Sequence, residues 1–190
     1  MINNASKGIA DMRFEPDKHR RRSIRLENYD YSQAGAYFVT ICTRDRACLL
    51  GEIVNGEMRL NEVGQIVADA WKWLAVQYAH VELDMSILMP NHLHGIIMIC
   101  DDIRRGGSRT APTETRKPLG RLIGAFKTVS TKRINELHLT SGGPFWQRNY
   151  YEHIIRNEEE LAEVREYILN NPVRWNEDEN NPDLQRGWTG

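Results

Sequence analysis

"MPNHLHGIIMI", residues 89–99, places a His-x-His pair at the start of an apolar run. Successive side chains of a β-strand point to opposite faces, so His92 and His94 share one face and Leu93 lies on the other. The residues that follow are apolar on both faces, which predicts a central strand covered on each side. Two imidazoles therefore point into one small volume beside the core of a sheet.

The sequence around this segment predicts further strands. "VELDMSILM" precedes it, and Pro90-Asn91 favours a turn between this strand and the histidine strand. "AYFVTICTRDR" predicts a strand over about 37–43, and Asn55-Gly56 marks the turn of a hairpin.

Apolar residues at helical spacing predict three helices. The first follows Asn61, which suits an N-cap, the second runs over about 118–137, and the third runs over about 158–170 after Asn157. Strands in two groups, each followed by a helix, predict an α+β domain. We expect an antiparallel sheet with helices on one face and the other face open to a ligand.

The composition is that of an ordinary globular domain. The chain has 190 residues, of which 41% are hydrophobic and 27% charged, enough for one core. No apolar run approaches the ~20 residues that span a bilayer, and the N-terminus lacks a signal-peptide core. The sequence therefore predicts a cytoplasmic protein without a membrane partner. Three cysteines without CxxC spacing indicate neither a disulfide framework nor a cysteine zinc site.

The net charge of −1 hides an uneven distribution. Residues 157–190 hold nine acidic and three basic side chains, whereas "DKHRRRSIR" near the N-terminus is strongly basic. The arginines of this basic cluster are Arg20, Arg21, Arg22 and Arg25. They can contact nucleic-acid phosphates, although a solvated charged tail has the same composition.

These charge differences suggest a division of the chain. We predict a basic N-terminal segment over 1–30, a domain over 31–175 and an acidic tail over 176–190. Within the domain, residues 101–117 are rich in Gly, Ser, Thr, Pro and charge, which predicts a mobile surface loop.

A His-x-His pair on a strand suits a two-ligand metal site. Neutral imidazoles bind borderline cations, and two residues on one face share a direction. The alternative is a pair of half-buried structural histidines. A structural zinc site would need four protein ligands, and no third His or Cys lies nearby in sequence.

"PFWQRNYYEH", residues 144–153, interleaves aromatic with cationic and amide side chains. Such a mixture suits stacking on unpaired bases with contacts to the backbone. The residues expected to contact nucleic acid are Trp146, Arg148 and Tyr150, together with Lys127 and Lys132 of the second helix. The alternative for each is an aromatic residue that seals the core or a lysine on a solvated helix face.

"MPNHLHGI" resembles the HUH motif, His-hydrophobic-His, of the single-tyrosine transposases, including its Pro-Asn lead-in. "RRSIRLENYDYSQAGAYFVTICT", "GPFWQRNYYEHIIRNEEEL" and "YILNNPVRW" further resemble the REP-associated tyrosine transposases, in the same order along the chain. The resemblance implies a ferredoxin-like (RRM-like) sheet with helices on one face and the catalytic site on the opposite face. It also implies metal-dependent cleavage and rejoining of single-stranded DNA beside a hairpin, through a 5′-phosphotyrosine link.

The nucleophile of such an enzyme would be Tyr150, Tyr151 or Tyr167. On the third helix a 100° step per residue places Tyr167 and Asn171 together on one edge of the apolar stripe. That edge can meet the sheet while staying open to DNA, so we expect Tyr167 to be the nucleophile. The alternative is a tyrosine packed at a helix edge, with Asn171 as a C-terminal cap.

The sequence allows more than one metal, oligomeric state and activity. Insertion-sequence relatives carry Gln four residues after the catalytic Tyr; here Asn171 stands there and can be a third ligand beside His92 and His94. Either Mg²⁺ or Mn²⁺ would serve, and Mn²⁺ accepts imidazole more readily. The relatives include monomers and dimers. The rival functions are a catalytically inactive DNA-binding protein of the same fold and an unrelated His-x-His metallohydrolase.

Overall fold

The computed structural model describes residues 29–101, 116–139 and 142–186, without the side chains of 185 and 186. The basic cluster at 20–25 and most of the predicted loop at 101–117 lie outside the described residues. The strands are β1 (Gly35–Cys42), β2 (Gly51–Val54), β3 (Glu57–Leu60), β4 (Val81–Met89), β5 (His92–Ile99) and β6 (Tyr151–Ile155). The helices are α1 (Glu62–Gln77), α2 (Leu119–His138), α3 (Glu158–Asn170) and the short α4 (Pro182–Arg186).

Local sequence signals explain where the helices begin. The side chain of Asn61 accepts a hydrogen bond from the Gly64 amide at 2.9 Å, and Asn157 does the same for the Glu160 amide at 2.8 Å. Both contacts satisfy a backbone donor that the first helical turn leaves free.

The main sheet is antiparallel with strand order β4-β5-β1-β6, so the histidine strand is central, as predicted. β1 runs beside β5 in a register that pairs Cys42 with His92 and Thr40 with His94. β6, for which the sequence analysis names no strand, completes one edge. β2 and β3 form a separate hairpin.

Helices α1 and α2 cover one face of this sheet. Their apolar residues join those of β1 and β5 in one core that includes Trp71, Phe126, Val39 and Leu93. The strand residue beneath Trp71 is Gly95, where an added Cβ would lie 2.5 Å from the indole ring. A side chain at that position would therefore displace the tryptophan from the sheet.

Helix α3 packs on the opposite face, the one that carries the histidines. Leu161, Val164 and Ile168 contact Phe38 and Ile96 in a second core. The α+β fold with an antiparallel sheet is confirmed. The helices, however, occupy both faces, because the apolar stripe of α3 also needs a surface to cover it.

Among the described residues, none of the helices combines the length and apolar character that crossing a bilayer requires.

Candidate catalytic and metal site

The two histidines of β5 form the centre of the site. His92 is fully buried and His94 is 2% exposed. Their Nε2 atoms lie 3.0 Å apart. Two imidazole nitrogens bound at ~2.1 Å in adjacent positions of an octahedral ion lie about 3.0 Å apart, so this spacing fits a shared metal.

Neighbouring side chains set the direction of each ring. His92 Nδ1 lies 2.8 Å from Asn91 Oδ1, which can only accept a hydrogen bond. His92 therefore carries its proton on Nδ1 and presents a lone pair on Nε2. His94 Nδ1 lies 2.8 Å from Thr40 Oγ1, which holds the second ring in a matching orientation.

The environment keeps both imidazoles neutral. Burial, with a smaller contribution from the positive charge of Arg46, lowers the pKa of His92 to about 3. Burial also lowers the pKa of His94 well below its usual value, with His92 acting in the same direction and Asp178 in the opposite one. Neutral imidazole is the form that binds a metal.

A carboxylate from the C-terminal segment completes the group. Asp178 Oδ2 lies 3.7 Å from His92 Nε2, and its side chain is 6% exposed. Among the described residues, His92, His94 and Asp178 bring three ligand atoms within 4.8 Å of one another, so this group can hold a metal ion.

The sequence did not single out Asp178, which was grouped by charge with an acidic tail. In the structure its segment docks beside β5, because Asn91 Nδ2 donates to the Asn180 carbonyl at 2.7 Å. Arg46 also donates to the Glu179 carbonyl at 3.0 Å. These contacts join residues far apart in sequence, and no local motif signals them.

Tyr167 reaches the histidines from α3. Its hydroxyl lies 3.4 Å from His94 Nε2, and the ring centroids are 5.2 Å apart. Burial raises the pKa of Tyr167, and the charges of Asp178 and Glu179 raise it further. The phenol is therefore protonated at neutral pH and needs activation before it can attack.

Neither rival tyrosine touches the histidine pair in the described contacts, although Tyr151 lies on the same face of the sheet as Tyr167. Tyr151 belongs to β6 and packs edge-on against Phe38, with ring centroids 6.2 Å apart. The Lys127 Nζ atom lies 5.5 Å from the centroid of the Tyr150 ring. Tyr150 packs against the core on the other face of the sheet. Of the three candidates, the described contacts place Tyr167 against the histidine pair.

Asn171 follows α3 and is 4% exposed. Its backbone N–H bonds to the Ile168 carbonyl at 3.3 Å, as the capping alternative expects. Its side-chain amide also lies near the Tyr167 phenol and moves the pKa of that phenol downward. The Asn171 Oδ1 atom is buried without a hydrogen-bond partner. Because an unpaired buried oxygen is costly, this atom fits a further ligand position for a hard cation.

The expected nucleic-acid contacts separate into buried and exposed groups. Trp146 is 5% exposed and donates its indole N–H to Ser130 Oγ at 2.9 Å. The Lys127 amine donates to the carbonyls of residues 147, 148 and 149, and burial lowers its pKa to about 8. These side chains hold the 144–150 segment against α2. Arg148 and Lys132, by contrast, are exposed.

The exposed cations line two adjoining grooves. One groove runs along α2 past Lys132 and Phe145, and the other runs past Arg44; Arg148 lines both. Arg44 lies two residues after Cys42, whose partner in the sheet is His92. We call this surface the cationic groove. The sequence did not indicate Arg44 as part of it, whereas Phe145 belongs to the aromatic stretch 144–153 that suits base stacking.

Comparison with known proteins identifies relatives along most of the chain. No protein-family model matches it. An uncharacterized protein of Haemophilus influenzae is 38% identical over 174 residues, covering 85% of this chain and 93% of that protein. A second protein of that organism, named as a REP-associated tyrosine transposase, is 29% identical over 154 residues, covering 78% of this chain and 77% of that protein.

A solved structure shares the fold. It is that of a REP-associated tyrosine transposase bound to a REP hairpin, with a TM-score of 0.56 at 19% identity, covering 81% of this chain and 74% of that chain. The antiparallel sheet with its helices agrees with this likeness, and so does the named sequence relative. In sequence and in fold, the chain is similar to the REP-associated tyrosine transposases.

Proposed function

We propose that this protein binds hairpin-containing single-stranded DNA and cleaves and rejoins it through a covalent link to Tyr167. The observation that carries the proposal is the contact between the Tyr167 hydroxyl and His94 Nε2 at 3.4 Å, beside a second inward-facing imidazole. This contact supports a nucleophile beside a cation site, which is what phosphodiester cleavage requires. The solved relative bound to a REP hairpin supports a similar DNA partner here.

The bond changes conserve the energy of the phosphodiester. The Tyr167 oxygen forms a bond to phosphorus while the bond to the 3′ oxygen breaks, which gives a 5′-phosphotyrosine and a free 3′-OH. The phenol loses a proton and the leaving 3′ oxygen gains one. Attack by another 3′-OH reverses these changes and joins strands without ATP.

We further propose that His92, His94 and Asp178 hold Mg²⁺ or Mn²⁺, with Asn171 Oδ1 as an additional ligand. The ion would neutralise the phosphate and polarise it toward attack. Asn91 and Thr40 keep the imidazoles turned toward this site.

The cationic groove is the proposed path for DNA that adjoins the cleaved phosphate. Arg148, Lys132 and Arg44 would contact phosphates, and Phe145 would offer a ring for stacking on an unpaired base. The sequence also indicated Trp146, Tyr150 and Lys127. These three residues would act by shaping the wall of the cationic groove. Arg20, Arg21, Arg22 and Arg25 remain proposed phosphate contacts.

The proposed site is complete within one chain. Tyr167 of α3 meets His94 of β5 in the same molecule, because α3 packs on its own sheet through Phe38 and Ile96. A single copy therefore supplies both the nucleophile and the metal ligands, and a dimer is not needed to assemble them.

The rival functions make different predictions. An inactive DNA-binding protein would retain hairpin affinity and form no covalent product. An unrelated metallohydrolase would use the histidines without Tyr167. Incubating the protein with a labelled hairpin oligonucleotide and Mn²⁺ distinguishes the three: we expect a covalent protein–DNA band with the wild type and none with Tyr167→Phe, while both bind the hairpin equally.

A further inference from the structure

Strand β4 carries a β-bulge opposite the site helix. Leu83 pairs with Ile97 and Ser86 with Gly95, so three steps along β4 match two along β5. The extra residue turns Asp84 and Met85 toward the same face, the one covered by α3. Met85 packs into the apolar core beneath α3, which leaves Asp84 facing the side of the helix.

Asp84 meets Arg165 in a two-pronged ion pair. Arg165 Nε donates to Asp84 Oδ1 at 3.0 Å, and Nη2 donates to Oδ2 through a short contact. The Asp84 side chain is 15% exposed and that of Arg165 is 41% exposed. The hydrogen bonds from Arg165 lower the pKa of Asp84, so the carboxyl is ionised at neutral pH.

A second polar contact lies on the other flank of α3. Glu160 Oε1 bonds to His153 Nε2 of β6 at 2.6 Å, and Glu160 Oε2 accepts from the Arg156 amide at 2.7 Å. β4 and β6 are the two edges of the sheet. The helix is therefore attached to both edges by directional contacts.

The position of Arg165 on the helix gives the pair a specific consequence. At 100° per residue, Arg165 and Tyr167 flank the apolar stripe on opposite sides. Apolar contacts are not directional, so the stripe alone does not prevent rotation about the helix axis. A bidentate guanidinium–carboxylate pair does fix direction. Rotation that withdraws Arg165 from Asp84 also moves the Tyr167 hydroxyl relative to His94.

The following inference rests on the proposed function. We propose that Asp84 and Arg165 are positioning residues that fix the rotation of α3 and hold the Tyr167 hydroxyl at the metal site. Neither side chain touches the histidines in the described contacts. Their effect would pass through the helix, and a displacement of ~1 Å at a nucleophile can cost about 100-fold in rate.

The test compares Asp84→Asn and Arg165→Lys with the wild type in single-turnover adduct formation at saturating hairpin DNA and Mn²⁺. Arg165→Lys keeps the charge and loses the two-pronged geometry. We expect the adduct rate of both variants to fall by about 10- to 100-fold with hairpin affinity unchanged. The exchanged pair Asp84→Arg/Arg165→Glu should recover part of the loss. Asp69→Asn on α1, which removes the carboxylate of an exposed ion pair with Lys72, is the matched control.

Wild-type rates in both single variants would overturn the positioning role, and so would an exchanged pair no faster than the singles. A wild type that forms no adduct would instead contradict the proposed function. The positioning role can also be tested without the cleavage reaction. The measurement is the ¹⁹F resonance of a fluorotyrosine label at Tyr167 in the DNA-free protein. We expect Asp84→Asn to shift this resonance and Asp69→Asn to leave it unchanged; no shift with Asp84→Asn would contradict the role of the pair.

Discussion

Thr40→Val is the most informative single change at the proposed metal site. Thr40 lies on β1 directly beside His94, and its hydroxyl is 2.8 Å from His94 Nδ1. Valine has nearly the same shape and cannot form this hydrogen bond. The change removes the partner that orients one imidazole and leaves all proposed metal ligands in place.

Two magnitudes follow from the lost contact. A buried ring nitrogen without a partner costs about 1–3 kcal/mol, so the free energy of unfolding should fall by that amount. Loss of a group that orients a ligating histidine weakens metal binding by about 10- to 100-fold. That loss corresponds to about 1.4–2.7 kcal/mol of binding free energy.

Calorimetric titration with Mn²⁺ measures the affinity, and chemical denaturation measures the stability. Thr128→Val is the matched control, because the Thr128 hydroxyl bonds only to the Gly124 carbonyl of its own helix among the described contacts. We expect that control to bind Mn²⁺ like the wild type. Equal Mn²⁺ affinity of Thr40→Val and the wild type would refute the assignment of His94 as a ligand oriented by Thr40.

Three further predictions test other parts of the account. His92→Ala or His94→Ala should abolish hairpin cleavage and leave hairpin affinity within a few-fold; nicking equal to wild type at saturating Mn²⁺ would rule out the metal role. Gly95→Ala should lower the free energy of unfolding by about 1–3 kcal/mol, because its methyl group would overlap Trp71; an unchanged denaturation midpoint would contradict this packing. Arg148→Ala should reduce the salt dependence of hairpin binding by about one phosphate equivalent, measured by fluorescence anisotropy, and an unchanged slope would remove Arg148 from the DNA path.

Much of the fold could be predicted because its signals are local. Asn61 and Asn157 cap helices within one turn, and Pro90 marks a turn between adjacent strands. The alternation of His92 with Leu93 along a strand is enough to place both imidazoles on one face of the sheet. Such features depend on residues that are neighbours in sequence, so they can be predicted from the sequence alone.

The parts of the site that the sequence did not predict depend on contacts between residues that are distant in sequence. Asp178 approaches His92 across 86 positions, and charge alone grouped it with a tail. Asp84 faces Arg165 because of a bulge that nothing in "VELDMSILM" signals. Trp146 has the composition of a base-stacking residue, but its indole N–H is used by Ser130 in the core.

The position of the covalent bond tests the central claim most directly. Wild-type protein would be incubated with labelled hairpin oligonucleotide and Mn²⁺, digested, and the modified peptide identified by mass spectrometry. We expect a nucleotide attached to Tyr167 through its 5′ phosphate. A nucleotide on Tyr150 or Tyr151, or hairpin binding without any covalent product, would contradict it.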